Sequence, residues 1–163
     1  YYIISADVGR KGCDTVVCVF KVTPQAQGPA IKSLVNIYTM TDEHMEDQAI
    51  KLKKLYYKYK ARTLVIDGNG LGIGLVDYMI KSQIDPDTAD VFPDFGVYND
   101  DELYYKKYRT NNTEQDAMYL IKANAPINTE AHTIAKSNLS SGKVKFLIDE
   151  RAAKQKLLGT KKG

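Results

Sequence analysis

Tryptophan is absent from the 163 residues, histidine and cysteine occur twice each, and proline five times. Each scarcity removes a class of chemistry. Cys13 and Cys18 lie five apart within one β-rich stretch, where two thiols cannot face each other as a disulfide, and they match no zinc spacing. A reducing compartment is the expectation. His44 and His132 are far apart and both fall on expected helices, where surface or packing roles are the ordinary reading; no Ser–His–Asp or Cys–His set stands out. No Gly-Lys-Ser/Thr follows any glycine cluster, so there is no Walker loop, and Gly68-Asn69-Gly70-Leu71-Gly72 is a poor match to a dinucleotide fingerprint. Neither a signal peptide nor a membrane-length apolar run is present, so the expectation is a soluble, intracellular chain with no membrane partner. The net charge of +3 is too small by itself to point to nucleic acid.

What is there is an ordinary globular composition, 44% hydrophobic and 26% charged, in a length that suits one domain with a sizeable core. Basic residues gather late: residues 142–163 hold seven Lys or Arg against two acids. The chain opens inside a strand pattern and stops on Gly-Thr-Lys-Lys-Gly, which reads as a piece excised from something longer, with residues 1–163 forming a single domain.

Residues 1–8 read as a buried strand, 14–23 as a β-branched second strand, 24–29 as a turn and 30–40 as a third strand with Val35, Ile37 and Thr39 alternating. Connections this short make an antiparallel meander. A helix follows, with Thr41 or Asp42 as its cap and Met45, Ala49, Leu52, Tyr56 and Tyr59 as one apolar stripe. The strand 63–67 after it is expected parallel to a neighbour through a right-handed crossover. A second helix spans about 72–82, a short extended segment starts at Val91, and a polar tyrosine-rich connection covers 98–116. Met118–Lys122 is another strand. A helix capped by Asn128 or Thr129 ends at Gly142, Lys143–Ile148 is a last strand, and Glu150–Leu158 a last helix. The fold class is therefore α/β: an antiparallel three-strand meander followed by parallel strands, with helices on both faces.

Two hydrophobic strands end in a carboxylate and a glycine-bearing turn: Asp7 before Val8-Gly9-Arg10-Lys11-Gly12, and Asp67 before Gly68-Asn69-Gly70. Strand ends of this kind are where α/β sheets place their sites. Two carboxylates meeting there repel, and a divalent cation between them relieves the repulsion. Hard oxygen ligands suit Mg²⁺ or Mn²⁺. Two such ions roughly 3.5–4 Å apart clamp the attacking and leaving oxygens of a phosphodiester. The plain alternative is that each Asp caps the turn after it. Arg10 and Lys11 either hold DNA phosphates or form a solvated basic turn. Lys106, Lys107 and Arg109, interleaved with Tyr104, Tyr105 and Tyr108, are candidate nucleic-acid contacts. Lys143 and the basic run after it are a candidate phosphate track.

At this point the residues resemble a family. Asp7-x-Gly-x-x-Gly-x-Asp14, Val65-Ile66-Asp67-Gly-Asn-Gly, Leu120-Ile121-Lys122-Ala123-Asn124-Ala125-Pro126-Ile127-Asn128-Thr129-Glu130 and Ser141–Glu150 are similar to the C-terminal nuclease domain of tailed-bacteriophage terminase large subunits. The resemblance implies a ribonuclease H-like fold and a metal-dependent endonuclease that cuts concatemeric viral DNA during packaging in the host cytoplasm. It also implies an N-terminal ATPase motor domain not contained in these residues, and double-stranded DNA, the portal and the small terminase subunit as partners. Asp7 and Asp67 match two of the family's metal-binding acids. The third lies either beyond residue 163 or at Asp149, and Asp14 is a candidate supporting acid. Rival readings are a Holliday-junction resolvase or integrase-like transferase of the same fold, a sugar-kinase-like ATPase domain, and a structural DNA-binding module.

Overall fold

The computed structural model describes residues 1–110 and 116–146. Strands β1 (Tyr2–Asp7), β2 (Thr15–Thr23) and β3 (Ile31–Met40) form the meander, antiparallel from β1 to β2 and from β2 to β3. Helix α1 (Met45–Tyr59) then carries the chain back to β4 (Ala61–Asp67), which pairs parallel with β1. Helix α2 (Leu71–Met79) leads to a small hairpin of β5 (Gln83–Ile84) and β6 (Val91–Phe92). Beyond it lie β7 (Gly96–Val97), a 3₁₀ turn at Tyr105–Tyr108, β8 (Asp116–Ile121), α3 (Ala125–Ser140) and β9 (Val144–Lys145). The seven-stranded sheet runs β7-β8-β4-β1-β2-β3-β9. Among the described residues the expected order of elements holds, with the β5–β6 hairpin and β7 added between α2 and β8. Asp149 and the expected helix 150–158 lie outside the described residues.

Period-two burial explains why these strands form where they do. Ile4 and Ala6, Val17 and Val19, Leu64 and Ile66, and Met118 and Leu120 are buried on one face of the sheet. They join Met45, Ala49, Leu52 and Leu55 of α1 and Leu75, Val76 and Met79 of α2 in a single core. Both helices therefore cover the same face. No residue of α3 is buried. The opposite face carries the alternate set, including Ser5 and Asp7 on β1 and Val65 and Asp67 on β4.

Two helix starts differ from expectation, for local reasons. Asp42 has φ 52°, outside any cap geometry, and its Oδ1 accepts from Gly12 N at 2.9 Å. Thr41 Oγ1 donates to Asp14 Oδ1 at 2.7 Å. Both side chains tie the β1–β2 turn to the end of β3, and α1 starts at Met45 after His44, which makes no side-chain cap bond. Helix α3 starts a turn earlier than expected because Asn124 accepts from Ile127 N at 3.0 Å, with Pro126 in the first turn, where its missing N–H costs nothing. A left-handed Lys60 (φ 50°) stops α1 and turns the chain directly into β4.

Candidate metal centre

The pairing of β1 with β4 runs in register through Ser5 with Val65 and Ala6 with Ile66. The pairing ends there, and each strand closes one residue later on its acid, Asp7 on β1 and Asp67 on β4. Strands paired in parallel keep matched side chains on one face, about 4.8 Å apart. Since Ala6 and Ile66 both point into the core, Asp7 and Asp67 both point to the other face, at the carboxyl edge of the sheet, and both are exposed. The register thus brings together two acids sixty positions apart in the chain.

Each acid is set by its own turn. Asp67 Oδ1 accepts from Asn69 N at 3.0 Å, so the capping role read as the plain alternative is real and occupies one oxygen. Asn69 Nδ2 reaches Ala123 O at 3.2 Å and Gly68 N donates to Ile121 O at 2.8 Å, fastening this turn to the end of β8. Gly72 opens α2 directly against Asp67: a Cβ there would lie 1.6 Å from Asp67 O. Only glycine lets the helix begin so close to the strand end. Beside Asp7, the Gly9 position has no room either, since a Cβ would meet Asp14 O at 2.3 Å. No hydrogen bond or ion pair involves the Asp7 carboxylate among the described residues.

Two neighbouring carboxylates, one with no partner and one with a single oxygen committed, form a donor set that fits a hard divalent cation. They do not make a complete cage. No group of three or more His, Cys, Asp or Glu able to hold a metal occurs among the described residues.

The other expected site residues divide. Arg10 and Lys11 are exposed on the turn that follows Asp7. Asp14 serves that turn through Thr41 and belongs to no metal-binding cluster among the described residues. Lys106 and Lys107 are exposed on the 3₁₀ turn, in the segment that flanks the carboxyl end of β8. Asn99 places that segment by mimicking a strand partner: it donates to Leu120 O at 2.8 Å and accepts from Leu120 N at 3.0 Å.

Arg109 is a correction. Its side chain is only 6% exposed, with Nε 2.7 Å from Asp94 Oδ2 and Nη1 3.3 Å from Asp116 Oδ1. This guanidinium is nearly enclosed and committed to ion pairs within the fold, rather than exposed like Lys106 and Lys107. Gly96 makes room for it, since a Cβ there would lie 1.9 Å from Asp116 Oδ1 and 2.5 Å from Arg109 Nη1. Lys53, fully buried nearby, donates to Lys81 O at 2.5 Å; burial pushes its ammonium down to about 8, against the pull of Asp94. Lys143 is the second correction. It sits at the start of β9, on the outer side of β3, and its carbonyl accepts from Lys32 N. That is the opposite edge of the sheet from Asp7, so Lys143 is not part of the acid pair's surroundings.

Sequence reasoning missed three residues. Asn69 clamps Asp67, and the Gly-Asn-Gly turn signal pointed only to a turn. Lys122 follows β8 beside Gly68, its Cγ 3.5 Å from where a Gly68 Cβ would be. Gln48 is buried in a hydrogen-bond network behind Gly9, and a polar residue three positions from Met45 on the apolar stripe was its visible trace.

No family model matches the chain, and no curated protein matches it. A solved structure does: the large terminase nuclease from thermophilic phage G20c, determined with bound magnesium, at TM-score 0.55 and 15% identity, covering 92% of this chain. The chain has a terminase-nuclease-like fold. It spans 59% of the length of that nuclease chain. Three antiparallel strands followed by parallel ones in a mixed seven-stranded sheet are the ribonuclease H-like arrangement, and at this identity the likeness is one of fold. No helix of the described residues is long and apolar enough to cross a membrane.

Proposed function

We propose that the chain is a metal-dependent DNA endonuclease domain of the large-terminase kind, which cuts concatemeric viral DNA during genome packaging in the host cytoplasm. One observation supports the reading: β1 and β4 pair in parallel through Ala6 and Ile66, and each ends one residue later on an exposed acid, Asp7 and Asp67, at the carboxyl edge of the sheet. The magnesium in the G20c nuclease structure supports the choice of Mg²⁺ or Mn²⁺. Held there, such ions would supply Lewis acidity to the phosphodiester and an activated water.

The residues of this chain do the rest. Asp7 and the oxygen of Asp67 not committed to the Asn69 amide are the ligands. Arg10 and Lys11, with Lys106 and Lys107, offer charge to the DNA backbone on either side of the acid pair. A complete cage needs a third ligand, and Asp149, outside the described residues, is a candidate for it. In the whole protein, residues 1–163 form one nuclease domain that works beside an ATPase motor domain of the same chain, with the portal and small terminase subunit as further partners.

The test is plasmid nicking with Mn²⁺. Asp7→Ala and Asp67→Ala are each expected to lower the rate at least about 100-fold, as loss of a group that stabilises developing charge does. Variants that cut as fast as the parent overturn the assignment.

A further inference from the structure

Behind the turn that follows Asp7 lies a closed ring of polar groups inside an otherwise apolar core. Thr15 is 0% exposed and Gln48 is 1% exposed. Gly9 N donates to Thr15 Oγ1 at 2.8 Å, and Thr15 Oγ1 donates to Gln48 Oε1 at 2.7 Å. Gln48 Nε2 donates back to Gly9 O at 3.1 Å and to Glu43 O at 3.0 Å. The amide and the carbonyl of one residue, Gly9, are thus both held by buried side chains. Burying a primary amide and a hydroxyl is favourable only with every bond made, and here they satisfy the buried N–H and C=O of Gly9, which an apolar pair would leave without partners. The ring therefore buries the turn's backbone and fixes it in one conformation at the same time.

The ring has a geometric consequence. Gly9 immediately precedes Arg10 and Lys11, the two exposed cations of the turn beside Asp7. Fixing both backbone groups of Gly9, with Gly12 tied to Asp42 and Asp14 to Thr41 on the outer side, leaves this turn little freedom. A cation contributes to phosphate binding in proportion to how little ordering it requires on contact.

We infer that Thr15 and Gln48 are positioning residues: they hold the Arg10–Lys11 turn at the acid pair, preformed for contact with DNA phosphates. The inference rests on the nuclease reading for its ligand. It couples α1, through Gln48, to the turn.

Metal-free binding separates this from cleavage. A fluorescent DNA duplex is titrated with the 163-residue chain in EDTA over a series of salt concentrations. Arg10→Ala with Lys11→Ala is expected to reduce the slope of log K against log salt by about 2, one counterion release for each lost phosphate contact. Thr15→Val is expected to reduce it by about 1 and weaken binding roughly threefold or more, and Thr15→Ser, which keeps the hydroxyl, to restore parental values. Gln48→Met repeats the loss by a second route should Thr15→Val fail to fold. A network that only stabilises the fold lowers the melting temperature and leaves the slope unchanged. A parental slope in folded Thr15→Val or Gln48→Met, beside a reduced slope in the Arg10/Lys11 variant, overturns the inference while leaving the nuclease reading intact. A parental slope in the Arg10/Lys11 variant itself overturns it as well, because the turn then touches no phosphate. Undiminished nicking by Asp7→Ala overturns the nuclease reading instead.

Discussion

At the scale of single residues, the candidate site depends on atoms that are missing as much as on atoms that are present. Gly72 has no space for a methyl group against Asp67 O, so Gly72→Ala must displace either the start of α2 or the strand end. We expect a loss of about 2–4 kcal/mol in urea unfolding, within the range for strain forced into a packed backbone. Weaker binding of Mn²⁺ by calorimetry is expected to accompany it, because Asp67 moves with its carbonyl. Lys53 gives a pH signature. Its folded-state value of about 8 lies below the ordinary 10.5, so the unfolded chain binds more protons between those limits. The burial penalty is present in full below pH 8, and stability gained from this group rises as pH climbs toward 10.5, by up to about 3 kcal/mol. Tyrosines titrate in the same window, so the measurement is the difference between the parent and Lys53→Met: the variant is expected to lead at pH 7 and to lose that lead by pH 10. Residue by residue, the acids at Asp7 and Asp67 were legible because each ends a hydrophobic run, which says where a side chain emerges. Arg109 was misread because a charge in a basic, tyrosine-rich stretch does not disclose its partner. Asp94 lies between β6 and β7 and Asp116 opens β8, both outside the turn, so only the fold could pair them.

Elements were easier to read than their ends. The meander, α1 and β4 follow from periodicity and connection length, and all three appear as expected. Caps failed where a tertiary contact outbid the local one: Thr41 and Asp42 carry suitable side chains, but the β1–β2 turn takes both. Helices also differ in what they contribute. Leu52 of α1 is fully buried between α2 and the sheet, and Leu52→Ala is expected to cost about 2–5 kcal/mol by loss of packing. Ile134 of α3 is 51% exposed, and Ile134→Glu is expected to change stability by less than about 0.5 kcal/mol in the same denaturation experiment. A large loss in the α3 variant would mean that this helix is held by contacts its exposure does not reveal.

On the scale of the whole molecule, the acid pair sets function against stability. Two like charges at adjacent strand ends repel when no cation lies between them. Asp7→Asn is expected to raise the melting temperature in EDTA by about 1–3 °C and to abolish the further rise that Mn²⁺ gives the parent. A parent that gains nothing from Mn²⁺ would remove the support for a metal at this edge. The fold as a whole was visible in the sequence because its order of strands and helices admits few topologies. The complete ligand set was not, since two strand ends account for two acids and no motif within the described residues supplies another.

The crossover through α1 also determines when this chemistry can exist. Residues 7 and 67 become neighbours only after the intervening meander and helix have been synthesised and the fourth strand has zipped onto the first. Parallel pairings of such sequence separation form late, because loop closure must come before any contact rewards it. A growing polypeptide that has not yet made β4, or one cut within α1, therefore carries Asp7 without Asp67. The acid pair on which the proposed chemistry depends therefore exists only once this long-range strand pairing has formed.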